Sequence, residues 1–581
     1  MIQVEKLTYG FPAKDLYKKI SFTLETGRHC ALIGSNGTGK STLADMLIHP
    51  EDYLYDGKII RDEGCRVGYA GQFTVRDKAQ ELTVFEYLSR QFVENQQAIT
   101  DVCEEMATAD NVDGAFERYQ KLLDIHEAMD GDNYESNIRK ELYLAGLSDL
   151  EENRLSQISG GEYKILQIMR EMLFAPNLLV LDGPDVFLDF GNLNSLCQLI
   201  NGYKGTLLVV THNRYLLDHC FDKILHLENC DIQEYDGSYT EYHCSQLREK
   251  LRLKQQNQAE QEEIRRTEEM VDRLRTRATL MVNPTIGRSV NAKQTKLDTL
   301  LANQIKAPFI EVREPEIELP VVESEKDQVV LSITDYQVAF DKSLLENVSF
   351  QLISGEKVAI VGANGTGKTT LIRDILSNND PAIHIDDATS YECLSQLQGE
   401  NVDEDKTVYE IMDDTGLGTK KDIREYLAKY CIEEDCLDRK ISQLSGGEQN
   451  LLQIAMIANT DAELLILDEP TSQLDIYAQT ALEQALADYK GTVLMVSHDF
   501  YLVATSADRV LFVEGNTVRP MNTKKFRKMI YDNYFEQSYL AADRKKQELE
   551  AGITKAFKKN DFAAAEKLCG QLEELSQVFS A

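Results

Sequence analysis

The chain has 581 residues, 43% apolar and 27% charged, enough for two to five domains with ordinary soluble cores. No apolar run approaches the ~18–20 residues of a membrane-spanning helix, and Met1-Ile2-Gln3-Val4-Glu5 opens on strand-like sequence with no secretion signal. Eleven cysteines are scattered without a Cys-x-x-Cys pair, which argues against a disulfide framework or zinc site and for a reducing, cytoplasmic setting.

The net charge of −35 speaks against nucleic-acid binding by the chain as a whole, but it is unevenly spread. Residues 244–306 hold 13 Lys/Arg against 8 Asp/Glu, and residues 522–581 hold 11 against 9. The connecting segments are mildly basic and the remainder strongly acidic. Such a composition suits either a solvated helix or a surface that meets polyanions.

In chain order, the first strong signal is Gly34-Ser35-Asn36-Gly37-Thr38-Gly39-Lys40-Ser41, followed by Thr42. It recurs as Gly362-Ala363-Asn364-Gly365-Thr366-Gly367-Lys368-Thr369, followed by Thr370. Each is a phosphate loop, preceded by an apolar strand (Ala31-Leu32-Ile33; Val358-Ala359-Ile360-Val361) and followed by a helical run. The glycines let backbone N–H groups face phosphates, Lys40 or Lys368 neutralises charge, and Ser41 or Thr369 ligates magnesium.

Helical spacing follows in the first half, through Val93, Ile99 and Val102, then Phe116, Tyr119, Leu122 and Leu123. Asn111-Val112-Asp113-Gly114 supplies a turn, so a helical arm is expected near residues 95–135. The repeat offsets point to the same place. Ser159/Ser445, Asp182/Asp468 and His212/His498 all differ by 286 positions, whereas Lys40/Lys368 differ by 328. The first copy therefore carries 42 extra residues, most of them after Gln72.

Next come Ile158-Ser159-Gly160-Gly161-Glu162 and its copy Leu444-Ser445-Gly446-Gly447-Glu448, each placing a hydroxyl and glycines before a helix. This is a second anion-binding helix start with no strand leading into it. Apolar runs then end in Asp182 and Asp468, as buried parallel strands deliver a magnesium-orienting carboxylate. Glu469 follows Asp468 as candidate water-polarising base, while Gly183 stands in its place in the first copy. His212 and His498 end further strands and are candidate γ-phosphate sensors.

Residues 244–282 read as a long, largely polar helix, broken at Asn283-Pro284-Thr285-Ile286-Gly287 and followed by a shorter return helix. Residues 311–327 are acidic, with Pro315 and Pro320, and residues 541–581 read as amphipathic helix.

This ordered set resembles the ATP-binding cassette superfamily, in which the Ser-Gly-Gly-Glu signature closes over ATP held by the opposite cassette. Two cassettes, an inserted arm, a charged helical linker and Tyr235-Asp236-Gly237-Ser238-Tyr239-Thr240-Glu241-Tyr242 at its entrance resemble the ABC-F family more narrowly. The resemblance implies an α/β fold with two tandem phosphate-loop cassettes, each a RecA-like core plus helical subdomain. The expected boundaries are 1–243 and 309–521 for the cassettes, 244–308 for a helical-hairpin linker, and 522–581 for a C-terminal helical extension.

It further implies that Phe11 and either Phe340 or Tyr336 stack on adenine. Gln72 and Gln396 would be loop glutamines at magnesium, and Asp189 and Asp475 the aspartates that communicate between cassettes. The implied activity is ATP hydrolysis with Mg2+. Its implied setting is a single cytoplasmic chain acting on the ribosome, with linker and arm at tRNA and rRNA, in translation regulation or antibiotic resistance. An exporter's ATPase subunit and a DNA-structure or repair ATPase are the alternatives.

Two departures stand out. Gly183 predicts a first site that binds ATP but turns over slowly, unless Asp185 substitutes. Asp185-Val186-Phe187 replaces the family's Thr-Asn-His, which puts communication through that site in question.

Overall fold

The computed structural model describes residues 2–11, 14–62, 64–72, 81–108, 113–186, 188–280, 284–303, 314–320, 328–339, 343–395, 403–535, 537–559 and 561–579. They divide into two compact units. One joins Met1–Asp236 to Arg313–Gln537, and the other joins Gly237–Val312 to Ser538–Ala581.

The first unit contains both cassettes, built alike. In the first, a six-stranded sheet runs Val67–Ala70, Leu178–Asp182, Thr206–Val210, His29–Ile33, Lys223–Glu228, Asp231–Asp236. In the second the order is Tyr391–Leu394, Leu464–Asp468, Thr492–Val496, Lys357–Gly362, Arg509–Glu514, Thr517–Asn522. The first five strands of each are parallel and the last antiparallel. Leu178–Asp182 and Leu464–Asp468 are buried along their whole length, which is why they read as unbroken apolar runs. This order sets each phosphate-loop strand beside the strand that leads to its histidine, with the aspartate strand next along.

A three-stranded antiparallel sheet completes each core, made of Lys14–Leu24, Ile2–Phe11 and Asp56–Arg61 in the first cassette. Its second-cassette counterpart is Ser343–Ile353, Val329–Ala339 and Ile383–Ile385. Among the described residues between glutamine loop and signature, the first cassette has the α-helices Val84–Thr108, Asp113–Ala128 and Tyr134–Leu144, and the second Val408–Asp414 and Lys420–Lys429. Asn111 and Val112 of the expected turn lie outside the described residues, and Asp113 and Gly114 already begin a helix.

The segment 522–581, expected as one extension, is divided by the structure. Helix Thr523–Asn533 stays with the cassettes, held by an aromatic cluster of Phe190, Phe500, Phe526, Tyr531 and Phe535, with Tyr215 stacked on Phe535 at 3.9 Å. Helices Gln537–Lys558 and Phe562–Phe579 belong with the linker.

In that second unit, helix Tyr239–Leu280 starts from a capping box. The Ser238 N–H donates to Glu241 Oε2 at 2.9 Å, and the Glu241 N–H donates to Ser238 Oγ at 3.4 Å. Helix Pro284–Asn303 returns antiparallel, joined by Arg275–Gln294 and Lys296–Glu263 hydrogen bonds. The long helix ends at Leu280, and Pro284, in the segment expected to break it, stands at the start of the return helix, where its missing N–H costs nothing. The base of the long helix is covered by the two C-terminal helices: Cys244 packs with Leu549, Ile553, Cys569 and Leu572, and Leu251 with Ala556 and Ala565. Among the described residues, no helix is long and apolar enough to cross a membrane.

Candidate nucleotide sites

Each phosphate loop links a buried strand to a helix, Lys40–Ile48 or Lys368–Ser377. Lys40 Nζ donates to Gly34 O at 2.9 Å and Ser35 O at 2.8 Å. Lys368 Nζ does the same to Gly362 O at 2.8 Å and Ala363 O at 2.7 Å. Thr38 and Thr366 brace the loops through Ser35 O and Ala363 O. Burial lowers the Lys40 ammonium to about 8, and burial also shifts the Lys368 ammonium downward. Each ammonium therefore stands to gain from an anion.

The loops face the opposite cassette. The Asn36 N–H donates to Asp475 Oδ2 at 2.8 Å, and its Nδ2 donates to Gln473 O at 2.9 Å. Reciprocally, the Asn364 N–H donates to Asp189 Oδ2 at 3.0 Å. Asp475 and Asp189 also cap their own helices through Ala478 N and Asn192 N. The signature glycines sit against these loops. A Cβ on Gly447 would lie 2.1 Å from Asn36 Nδ2, and one on Gly161 would lie 3.4 Å from Asn364 Nδ2. Both signatures are capping boxes, Ser159 with Glu162 and Ser445 with Glu448. Gly160 and Gly446 open the two helices, so that backbone N–H groups point out of each helix start.

A cavity of about 440 Å3 results, lined by Lys368, Thr369, Thr370, Glu469 and His498 from the second cassette. From the first come Gln72, Gly160, Gly161 and Lys164. Glu469 and His498 meet there: Glu469 Oε2 accepts the His498 N–H at 3.2 Å, and His498 Nε2 lies 3.6 Å from Glu469 Oε1. Burial, then the Asp468 carboxylate, push Glu469 up to about 8, while burial and Lys368 pull His498 down to about 3. A carboxyl group that holds its proton more tightly than usual and a neutral imidazole thus face one pocket.

At the first site Asp182 is hydrogen-bonded by Ser41 and raised by burial, and His212 is buried and held well below its ordinary value by burial and Lys40. Gly183 occupies the backbone position of Glu469. Their φ angles are +55° and +50°, and both N–H groups donate to the end of the histidine strand, at Val210 O and Val496 O. The two turns share their backbone conformation, and the first lacks the carboxylate. Nearby, Asp185 Oδ1 accepts from Thr211 Oγ1 at 2.6 Å.

The fit to a magnesium nucleotide rests on this donor set. Loop N–H groups and a buried lysine are present in each loop, Ser41 and Asp182 form a hydroxyl–carboxylate pair at the first, and among the described residues the buried Nδ1 atoms of His212 and His498 have no hydrogen-bond partner. Phe11 is 54% exposed at the end of its strand, edge-on to Tyr9, and free to offer a ring face. Tyr336 is fully buried with its hydroxyl on Asp374 Oδ2, so it has no face to offer. Phe340 and Gln396 lie outside the described residues. Lys164, Thr211 and the buried Arg214–Glu483 pair between cassettes were not singled out from sequence, and only the Ser-x-x-Glu capping pattern of the signatures carried an unused local signal.

Comparison with known proteins agrees with this architecture. The ABC transporter family model matches residues 17–186 and 345–472, and a second model, also described as ABC transporter, matches 225–319. A putative ATP-binding protein of Bacillus subtilis, YdiF, is 28% identical over 97% of this chain and 87% of its own length. ABC transporter F family member 5 of Arabidopsis thaliana is 28% identical over 95% and 79%. The energy-dependent translational throttle protein EttA of Haemophilus influenzae is 26% identical over 87% and 92%. Among solved structures, an archaeal ribosome recycling factor, aABCE1, in complex with the ribosomal stalk protein aP1 shares the fold. Its TM-score is 0.54 at 19% identity, over 91% of this chain and 92% of that one. The chain belongs to the ABC transporter family of ATP-binding cassette proteins, among its tandem-cassette ABC-F members. It is an ATPase.

Proposed function

We propose that this protein is a nucleotide-driven clamp of the translation machinery. ATP seats in both phosphate loops and draws the cassettes together, and hydrolysis in the second site releases them. The observation that carries this reading is the pairing of two isostructural turns, one bearing Glu469 and the other Gly183, each set opposite the other cassette's signature.

Lys368 and the loop N–H groups, Gly362 through Thr370, hold the triphosphate, and Ser159, Gly160, Gly161 and Glu162 supply the opposing helix start. Gly34 through Thr42 with Ser445, Gly446, Gly447 and Glu448 do the same at the first site. Thr369, Asp468 and Gln396, and Ser41, Asp182 and Gln72, would hold magnesium, which spreads the negative charge of the phosphates. Glu469 takes a proton from the attacking water, and His498 lies at the γ-phosphate end. His212 and Phe11 act at the first site, which retains ATP and turns over slowly. Because the cassettes share one chain, closure is intramolecular and needs no second copy.

The cytoplasmic ribosome is the proposed partner, met by the arm near 95–135 and the linker 244–308. The similarity to EttA, a translational throttle protein, and the basic balance of the linker support this. Contacts to tRNA and rRNA by these segments would weaken with salt.

The test is Glu469→Gln with ATP, followed by sedimentation with ribosomes. Stable co-sedimentation and arrested translation are expected. A variant that stays in the supernatant while loaded with ATP overturns the ribosome assignment.

A further inference from the structure

The two turns share a backbone but are wired differently to the signature helices. In the second cassette Asn450 Nδ2 donates to Pro470 O at 3.2 Å and Ser472 O at 2.7 Å, tying the signature helix to its own catalytic turn. At the matching position the first cassette has Lys164, which is 3% exposed. Its Nζ donates to Gly71 O and, at 3.0 Å, to Gln72 O, on the glutamine loop instead of the turn.

Two further differences lie beside it. Thr471 of the second cassette is matched by Asp185, which accepts from Thr211 Oγ1 and sits in the field of the Lys164 ammonium. A Cβ built on Gly183 would lie 3.2 Å from Gln72 Cγ, 3.2 Å from Val186 Cγ2 and 3.7 Å from Gln72 Cβ. The stem of Gln72 therefore covers the ground over Gly183.

We propose that Lys164 is a positioning residue that fastens the glutamine loop over Gly183, so that the first site is held out of turnover by Lys164, Asp185 and Gly183 together, not by the glycine alone. A buried ammonium that has found two carbonyls is costly to strip of them. The loop is thus held where a restored glutamate would need room. The proposal rests on the reading that hydrolysis is confined to the second site, and the experiment separates the two.

The full chain carrying Glu469→Gln is measured first for steady-state ATP turnover. Unchanged turnover there would remove the reading itself, before Lys164 is touched. Next, Gly183→Glu is added to that chain, alone and together with Lys164→Asn and Asp185→Thr. The single addition is expected to leave turnover at the Glu469→Gln level. The combined set is expected to raise it by about a hundredfold or more, the low end of what a positioned base contributes. Equal turnover in the two chains, whether both high or both low, overturns the proposal.

A second readout does not depend on turnover. The chain has no tryptophan, so Tyr69→Trp, on the strand just before Gly71, places one emitter beside the loop. With Lys164→Asn the ATP-induced shift in its emission should increase, and with Lys164→Arg it should stay as in the parent. Identical responses from the asparagine variant and the parent also overturn it.

Discussion

The Asn36 N–H donates to Asp475 Oδ2 at 2.8 Å, across the seam between the cassettes, while Asp475 Oδ1 accepts from Ala478 N at the start of its own helix. One carboxylate therefore serves a helix cap and a phosphate loop of the other cassette at once. Any movement of the loop is felt by the helix behind the opposite catalytic turn, and Asp189 with Asn364 repeats the device on the other seam.

Asp475→Asn should uncouple these duties. Asparagine caps a helix about as well as aspartate, but its second polar atom is a donor that meets the Asn36 N–H. ATP-dependent closure, followed by energy transfer between dyes on the two cassettes, should weaken by about 10- to 150-fold, in line with a lost charge-assisted hydrogen bond of ~1.5–3 kcal/mol. The helix, read by circular dichroism, should persist.

The pH profile should report Glu469. Burial and Asp468 place its carboxyl near 8 in the free protein. It accepts a proton only when ionised, so activity rises as pH passes upward through that value. kcat/KM for ATP should increase about tenfold between pH 7 and 9. A flat profile over that range would remove Glu469 as the base of the free enzyme.

Arg214 pairs with Glu483 across the seam, both largely buried, while its guanidinium lies 4.2 Å from the Tyr501 ring centre. Arg214→Met should lower thermal stability by about 3–5 kcal/mol, because it takes a buried guanidinium away from a buried carboxylate. Adding Glu483→Leu should recover most of the loss. Calorimetry of the two single variants and the double gives the coupling directly.

Much of the site was legible because its motifs are local. The phosphate loops, signatures and catalytic turns are short segments whose residue types follow from the backbone they must adopt. The constant 286-residue offset then exposed both the insertion and Gly183. Lys164 and Gly71, 93 positions apart, and Arg214 and Glu483, 269 apart, are joined only by folding, and no local pattern marks them. The segment 522–581 misled for a related reason. Its composition is uniform, while Phe526, Tyr531 and Phe535 fasten its first helix to the cassettes and Ile553 and Leu572 turn the rest to the linker.

The same packing gives a fourth expectation. Ile553→Ala, at a fully buried position, should cost about 2–5 kcal/mol in the linker unit. Amide hydrogen exchange over residues 244–256 should speed up accordingly, with the phosphate-loop strands unaffected.

Cys244 and Leu251 find their covering partners only around Leu549 to Leu572, so the linker base is made roughly 300 residues ahead of its shelter. At ~5–20 residues per second, that greasy stripe stays bare for about 15–60 s of synthesis, while both cassettes emerge and fold. Birth order thus makes the linker the last part to mature. A chain released early would carry two finished nucleotide pockets and a linker helix still without its cover.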